Sequence, residues 1–144
     1  MGAALVEATA APGHGDVPVG AVVVTTDGAV VARRHNERER LQDPTAHAEL
    51  LALRDAAATR GSWRLTGCAL VVTLEPCPMC AGAAVAAQLD VVAFGAADPK
   101  AGALGSLYNL GADPRLNHEV VVVDGVRADE CGTLLTAFFA ARRR

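Results

Sequence analysis

Two cysteines three residues apart, Cys77 and Cys80 in Pro76-Cys77-Pro78-Met79-Cys80, and an upstream His47-Ala48-Glu49 segment constrain this chain more than any other feature. Each segment opens a predicted helix directly after a loop or strand. On a first helical turn, side chains three apart fall on one side, so the two sulfurs can share an ion. The unpaired N–H groups and positive dipole end of a helix start stabilise thiolates. Thiolate with imidazole suits zinc, and nothing in the pattern demands a redox change. A fold that satisfies it must bring two separate helix starts to one point.

Ligand count decides the kind of site. A structural zinc site is normally closed by four protein ligands, commonly two pairs at short spacing. Here there is one C-x-x-C pair and no H-x₃₋₅-H. His47, Cys77 and Cys80 leave the fourth position to water, which is the catalytic arrangement. Two thiolates neutralise the ion, so that water needs help to lose a proton, and Glu49 is the natural helper. Residues two apart on a regular helix point about 200° apart. His47 and Glu49 therefore serve one site only if the first turn is buried there with both side chains converging.

A lone His-x-Glu occurs by chance, and a lone C-x-x-C can be a redox pair. The intervening Pro-Met and the upstream His47 argue against the redox pair. Cys68, if it closed the coordination shell, would make the site structural. Cys68 and Cys131 otherwise read as core thiols, and His14, His35 and His118 as surface residues.

With 144 residues, about half of them apolar, the chain fits one domain with a single core over 1–144. The net charge of -3 and only five aromatic residues argue against a general nucleic-acid binder or a base-stacking platform. Arg33, Arg34, Arg38 and Arg40 lie in one stretch and Arg142, Arg143 and Arg144 close the chain. They form either a solvated face or a local phosphate-contacting rim. The start carries no basic segment followed by a long apolar run, and no stretch approaches the roughly 20 apolar residues of a membrane span. A cytoplasmic location without membrane attachment follows, where a close cysteine pair binds metal or is redox-active.

Residues 3–11 predict a short helix ended by Pro12, Gly13 and Gly15. Val19–Thr25 and Ala29–Arg33 predict a hairpin around Thr26-Asp27-Gly28, with Gly28 at positive φ. A helix over 46–59 has Asp43 or Thr45 available as N-cap and Pro44 in the first turn. Cys68–Thr73 reads as a buried strand, 78–88 as a helix and 90–95 as another buried strand. Residues 98–117 are mostly loop, with room for one short helical turn. A last strand covers 120–123, and a helix over 128–143 places Leu134, Leu135, Phe138 and Phe139 on one apolar face. A hairpin followed by alternating strands and helices predicts an α/β fold, a mixed sheet with helices on its faces.

H-x-E followed by P-C-x-x-C is the signature of zinc deaminases acting on nucleobases. Beyond it, Val17-Pro18-Val19-Gly20-Ala21-Val22, Asp43-Pro44-Thr45-Ala46-His47-Ala48-Glu49 and Thr73-Leu74-Glu75-Pro76-Cys77-x-Met79-Cys80-Ala81-Gly82-Ala83 resemble the bacterial tRNA-specific adenosine deaminases. So do Gly102-Ala103-x-Gly105-Ser106-Leu107, Leu116-Asn117-His118 and Phe138-Phe139 followed by arginines. The similarity runs from about residue 17 to the end. It implies a cytidine-deaminase-like three-layer α/β/α sandwich, a homodimer and one Zn²⁺ per subunit. The implied reaction converts adenosine to inosine at the wobble position of a tRNA anticodon, in the family typically that of an arginine tRNA.

On matching positions, His47, Cys77 and Cys80 would be the zinc ligands and Glu49 the proton shuttle during hydrolytic attack at C6 of adenine. Asn36 would contact the flipped base, and Asp98 and Lys100 the flanking anticodon nucleotides or backbone. Otherwise Asn36 is a turn residue and Asp98-Pro99 a turn or helix cap. Two features depart from the family: a short, Ala/Gly-rich segment before Val17, and Gln88 where a basic residue is common. One rival is a free-base deaminase of the same fold acting on guanine or cytosine, since guanine deaminases share Glu-Pro-Cys-Pro-Met-Cys. The other is a non-catalytic RNA-binding subunit, against which the presence of Glu49 argues.

Overall fold

The β-branched runs supply the centre of the sheet. In the computed structural model, which describes residues 1–143, β1 (Gly20–Thr25) and β2 (Val30–His35) form an antiparallel hairpin. β3 (Cys68–Leu74) pairs antiparallel with β1, and β4 (Val91–Ala96) and β5 (Val121–Val123) follow in parallel. The order across the sheet is β2-β1-β3-β4-β5. Gly28, at φ 90°, makes the hairpin turn, a conformation that a Cβ would penalise.

Five α-helices accompany the sheet: α1 (Gly2–Ala8), α2 (Arg38–Leu41), α3 (Ala48–Arg60), α4 (Pro78–Ala86) and α5 (Ala128–Arg142). Alternation along the strands sorts them into layers. Ala21, Val23, Leu70, Val72, Val92 and Phe94 form one buried cluster with Ala52, Ala56, Ala81 and Ala84 of α3 and α4. The intervening strand residues point the other way. A Cβ on Gly20 would overlap the Ala4 carbonyl oxygen and lie 2.6 Å from the Ala8 nitrogen, so α1 lies directly on that face. A Cβ on Gly95 would overlap Cys131 Sγ, which places α5 on the same side. The result is the expected α/β/α sandwich with a mixed sheet. Its helices are rich in alanine where they touch the strands, which lets the layers approach closely.

Several local expectations are corrected. The first helix ends at Ala8, and Pro12 and Gly13 lie inside a separate 3₁₀ turn, Ala11–His14, instead of terminating it. Pro12 suits that place because an early turn position needs no N–H there. Neither Asp43 nor Thr45 caps α3, which starts two residues later than expected. Asp43 Oδ1 instead accepts from the Thr45 nitrogen and hydroxyl, closing a local turn before the helix begins. On α5 only Cys131 is buried; Leu134, Leu135 and Phe138 are half-buried, and Phe139 is exposed. His14 and His35 are half-buried beside Asp16 and Glu7, their rings 5.3 Å apart, and His118 Nε2 reaches the Leu89 carbonyl. They are structural residues, because α1 and the 3₁₀ turn cover the first two.

Gly20→Ala tests the tight side of the sandwich. The Cβ meets backbone of α1, so the helix must shift, and we expect a loss of about 1–3 kcal/mol. Urea unfolding of the two proteins measures it; an unchanged midpoint would show that α1 is not seated on β1.

Candidate active site and metal centre

Strand direction gathers the site. Because β1 is antiparallel to both neighbours, its start lies beside the ends of β2 and β3, with Gly20 opposite His35 and Ala21 opposite Val72. The end of parallel β4 joins the same edge, with Leu74 opposite Ala96. Ligand sites in open α/β sheets form beyond such strand ends. The segments leaving these ends carry Val17, Asn36, Glu75, Cys77 and Asp98.

His47 and Glu49 converge because His47 is not helical. It is the N-cap of α3, with extended backbone at φ -73° and ψ 148°, while Glu49 lies in the first turn. The roughly 200° separation of a regular helix does not apply across that junction. Cys77 repeats the device at the start of α4, at φ -72° and ψ 173°, with Pro78 next and Cys80 in the first turn. His47 Nδ1 lies 3.7 Å from Cys77 Sγ and 3.5 Å from Cys80 Sγ, and the three ligand atoms lie within 4.8 Å of one another. A tetrahedral ion about 2.0 Å from nitrogen and 2.3 Å from sulfur separates those two atoms by about 3.5 Å. The residues present fit zinc. Among the described residues this is the one group of three or more such ligands. Cys68 sits at the far end of β3 in the core, so it does not close the shell.

The environment favours ligation. Hydrogen bonding from Cys80, aided by His47, pulls Cys77 down to about 4, so it is a thiolate at neutral pH. That thiolate pushes Cys80 up and, by accepting from the ring, raises His47. Glu49 is only 4% exposed, and burial holds its carboxyl above the usual carboxylate range.

Beside the cluster is a cavity of about 240 Å³ whose walls include Asn36, Arg38, His47, Glu49, Cys77 and Asp98. Its size suits a single base better than a whole nucleotide. Asn36 is nearly buried: its Oδ1 accepts from the Ala48 nitrogen at 2.9 Å and its Nδ2 donates to the Val17 carbonyl at 3.2 Å. It thus supplies from outside α3 the cap that Asp43 was expected to give. Asp98 Oδ1 accepts from the Lys100 and Ala101 nitrogens, closing a turn at the rim. Lys100 is exposed and does not line the cavity.

The arginine stretch divides. Arg33 pairs with Glu7, Arg34 with Glu37 and Asp55, and Arg40 with Glu37. Arg38 forms no ion pair among the described residues and lies on the cavity wall. It is the member of the stretch free to meet a ligand's negative charge.

The sequence reading missed Glu75 as a site residue. It is 2% exposed on the cavity wall and accepts from the nitrogens of Asp98, Leu104 and Ser106 and from the Ser106 hydroxyl. A carboxylate between a buried strand and a cysteine ligand was the available signal, since such a charge must find donors.

Comparison with known proteins agrees with this geometry. Residues 1–96 match the cytidine and deoxycytidylate deaminase zinc-binding region, and the chain belongs to that family. Within it, the chain falls with the tRNA-specific adenosine deaminases. It is 50% identical over all 144 residues to the protein of that name from Bacillus subtilis (strain 168), spanning 89% of it. A solved structure from work on A-to-I editing by tRNA:A34 deaminases at the wobble position matches with a TM-score of 0.90 at 43% identity, covering 94% of this chain and 97% of that one. The guanine deaminase of Nitrosomonas europaea matches with a TM-score of 0.80 at 26% identity, over 96% and 82% of the two chains.

Burial opposes ionisation of Glu75, but its hydrogen bonds from Ser106, Asp98 and Leu104 outweigh that and hold the carboxyl below its ordinary value. A depressed acid stabilises the fold above its unfolded pKa of about 4.3 and loses that contribution as pH falls through the native value. The stability difference between wild type and Glu75→Gln is therefore expected to be largest near neutrality and to shrink below about pH 4. Denaturant titrations across pH 3–7 read it.

Proposed function

We propose that residues 1–144 act as one hydrolytic deaminase domain that converts adenosine to inosine at the wobble position of a tRNA anticodon. The observation that carries this reading is the convergence of His47, Cys77 and Cys80 beside a base-sized cavity containing buried Glu49. The 50% identity along the whole chain, against 26% for the guanine deaminase, favours tRNA over a free base. Glu49 gives the catalytically silent alternative no support.

His47, Cys77 and Cys80 would hold one zinc ion per chain, which when bound supplies a water of lowered pKa. Glu49 takes a proton from the attacking water on a carboxylate oxygen and gives it to N1 of the adenine ring. It then takes the second proton from the new C6 hydroxyl and gives it to the amino group, which leaves as ammonia as the C6 carbonyl forms. Its raised affinity for protons suits both halves of that transfer. Asn36 fixes the start of α3 and, from the cavity wall, would contact the base. Asp98 and Lys100 shape the rim over which flanking nucleotides pass, and Arg38 supplies a local cation on an otherwise acidic chain. The base must leave its stack to enter, which an anticodon loop allows cheaply. A tRNA substrate places the protein in the cytoplasm, consistent with four free cysteines. No described helix is long and apolar enough to cross a membrane.

The deciding assay incubates the purified chain with an anticodon stem-loop carrying wobble adenosine and, separately, with guanine, cytosine and adenine. Inosine in the RNA is expected; ammonia from a free base with unedited RNA overturns the assignment. Glu49→Gln is expected to keep its zinc, read by mass spectrometry, and to lose about 10²–10⁴-fold in rate. Wild-type activity in that variant would remove Glu49 from the mechanism.

The domain is also proposed to pair with a second copy. An apolar groove between α3 and α4, lined by Leu50, Leu53, Leu65 and Ala83, borders Trp63, which is 61% exposed. Aromatic anchors in such grooves dominate interfaces. Sedimentation should give twice the 14.7 kDa chain mass, and Trp63→Asp should shift it toward the monomer.

A further inference from the structure

The Gly102-Ala103-x-Gly105-Ser106-Leu107 segment and Glu75 stand out in sequence without a part in the proton transfer, and the structure joins them. Glu75 is the residue after β3, and its nitrogen donates to the Ala96 carbonyl, continuing the β3–β4 ladder by one bond. Its side chain turns away from the sheet. Oε1 accepts from the Asp98 nitrogen at 3.0 Å and from the Ser106 hydroxyl; Oε2 accepts from the nitrogens of Leu104 and Ser106, both at 3.1 Å. No Lys, Arg or His pairs with it among the described residues. The charge is met by loop dipoles alone. One residue on, the Pro76 carbonyl accepts from the Ala103 nitrogen at 2.9 Å.

Gly102 completes the fit. A Cβ there would overlap the Glu75 Cδ and lie 2.5 Å from Oε1, so the loop backbone rests on the carboxylate itself. The segment from Asp98 to Ser106 contains no helix or strand and has little ladder hydrogen bonding of its own. Yet Asp98 and Ala101 line the base-sized cavity together with Asn36, His47 and Glu49. Something other than secondary structure must fix that wall, and a single buried carboxylate does so from four donors.

We propose that Glu75 is a positioning residue, a latch whose carboxylate holds the 98–106 loop as the wall of the base pocket and thereby sets the fit of the substrate. It touches neither the reacting atoms nor the metal. Gln at this position keeps one acceptor oxygen but presents an NH₂ toward donors, so the loop is released on one side. The part concerning substrate fit rests on the deaminase reading above; the latch itself does not.

Hydrogen exchange tests the latch without any substrate. Charged hydrogen bonds of this kind contribute enough that Glu75→Gln should speed exchange across 98–106 by about 10–100-fold. Exchange in β1 and α3 and the zinc content should stay as in wild type. KM for the stem-loop should rise about 10-fold with kcat changed far less, because the wall binds rather than reacts. Ser106→Ala, at an exposed position that tolerates truncation, should give a smaller change of the same kind. It should add little in the Glu75→Gln background, since both cut the same connection. Unchanged exchange over 98–106 in Glu75→Gln overturns the latch; loosening with an unaltered KM overturns its part in setting substrate fit. Should Glu75→Gln fail to fold, Ser106→Ala and Gly102→Ala carry the same comparison, and wild-type exchange and KM in both overturn it. If a free base proves to be the substrate, the KM comparison is made on that base. Failure of the tRNA reading and failure of the latch are thus separate results.

Discussion

The structure depends on two helix starts meeting at one edge of the sheet. His47 and Cys77 are each the extended residue immediately before a helix, and Glu49 and Cys80 follow in the respective first turns. This arrangement aims the unpaired N–H groups and positive dipole ends of α3 and α4 at the place where thiolates must be stabilised. It also frees His47 from the angular spacing of a helix, so imidazole and carboxylate reach one cavity. The sandwich exists in its observed form because both helices must pack on the same face of the sheet for this to happen. Their alanine-rich inner surfaces make the approach close enough.

Asn36, Asp16 and Glu75 are each matched to a neighbour from a distant part of the chain. Asn36 caps α3 from the end of β2, and Asp16 accepts from the nitrogens of Glu39 and Arg40 at the start of α2. Glu75 does the same for the loop after β4. Burying an unpaired polar group costs about 1–3 kcal/mol, so each pairing holds its segment firmly. A pocket assembled from four strand ends stays in register through these cross-links. No one of them is visible in the local sequence of the segment it holds.

Charge is arranged in the same spirit. The chain is net acidic, and most of the arginine stretch near the site is neutralised by Glu7, Glu37 and Asp55. Arg38 forms no ion pair among the described residues and lies on the cavity wall. An acidic protein that contacts nucleic acid at one loop needs few free cations, placed locally, since the long-range field is unhelpful. The pattern separates the two readings of that stretch residue by residue instead of choosing one for all.

The sequence alone was enough to single out His47, Cys77 and Cys80, which the fold brings together, the strand and helix order apart from α2, and the hairpin at Gly28. Those follow from residue chemistry at short spacing and from alternating apolar patterns, which are local properties. It also sufficed to pose the question of how His47 and Glu49 could share a site. The helix boundary that answers it was misread, because Asp43 and Thr45 are good caps locally and only the arrival of Asn36 from β2 moves the start of α3. The shorter first helix, the half-buried His14 and His35, and the part of Glu75 were decided by contacts between residues far apart in the chain. Spacing carries information about what a segment can do; which partner reaches its hydrogen-bonding groups is settled when the layers close.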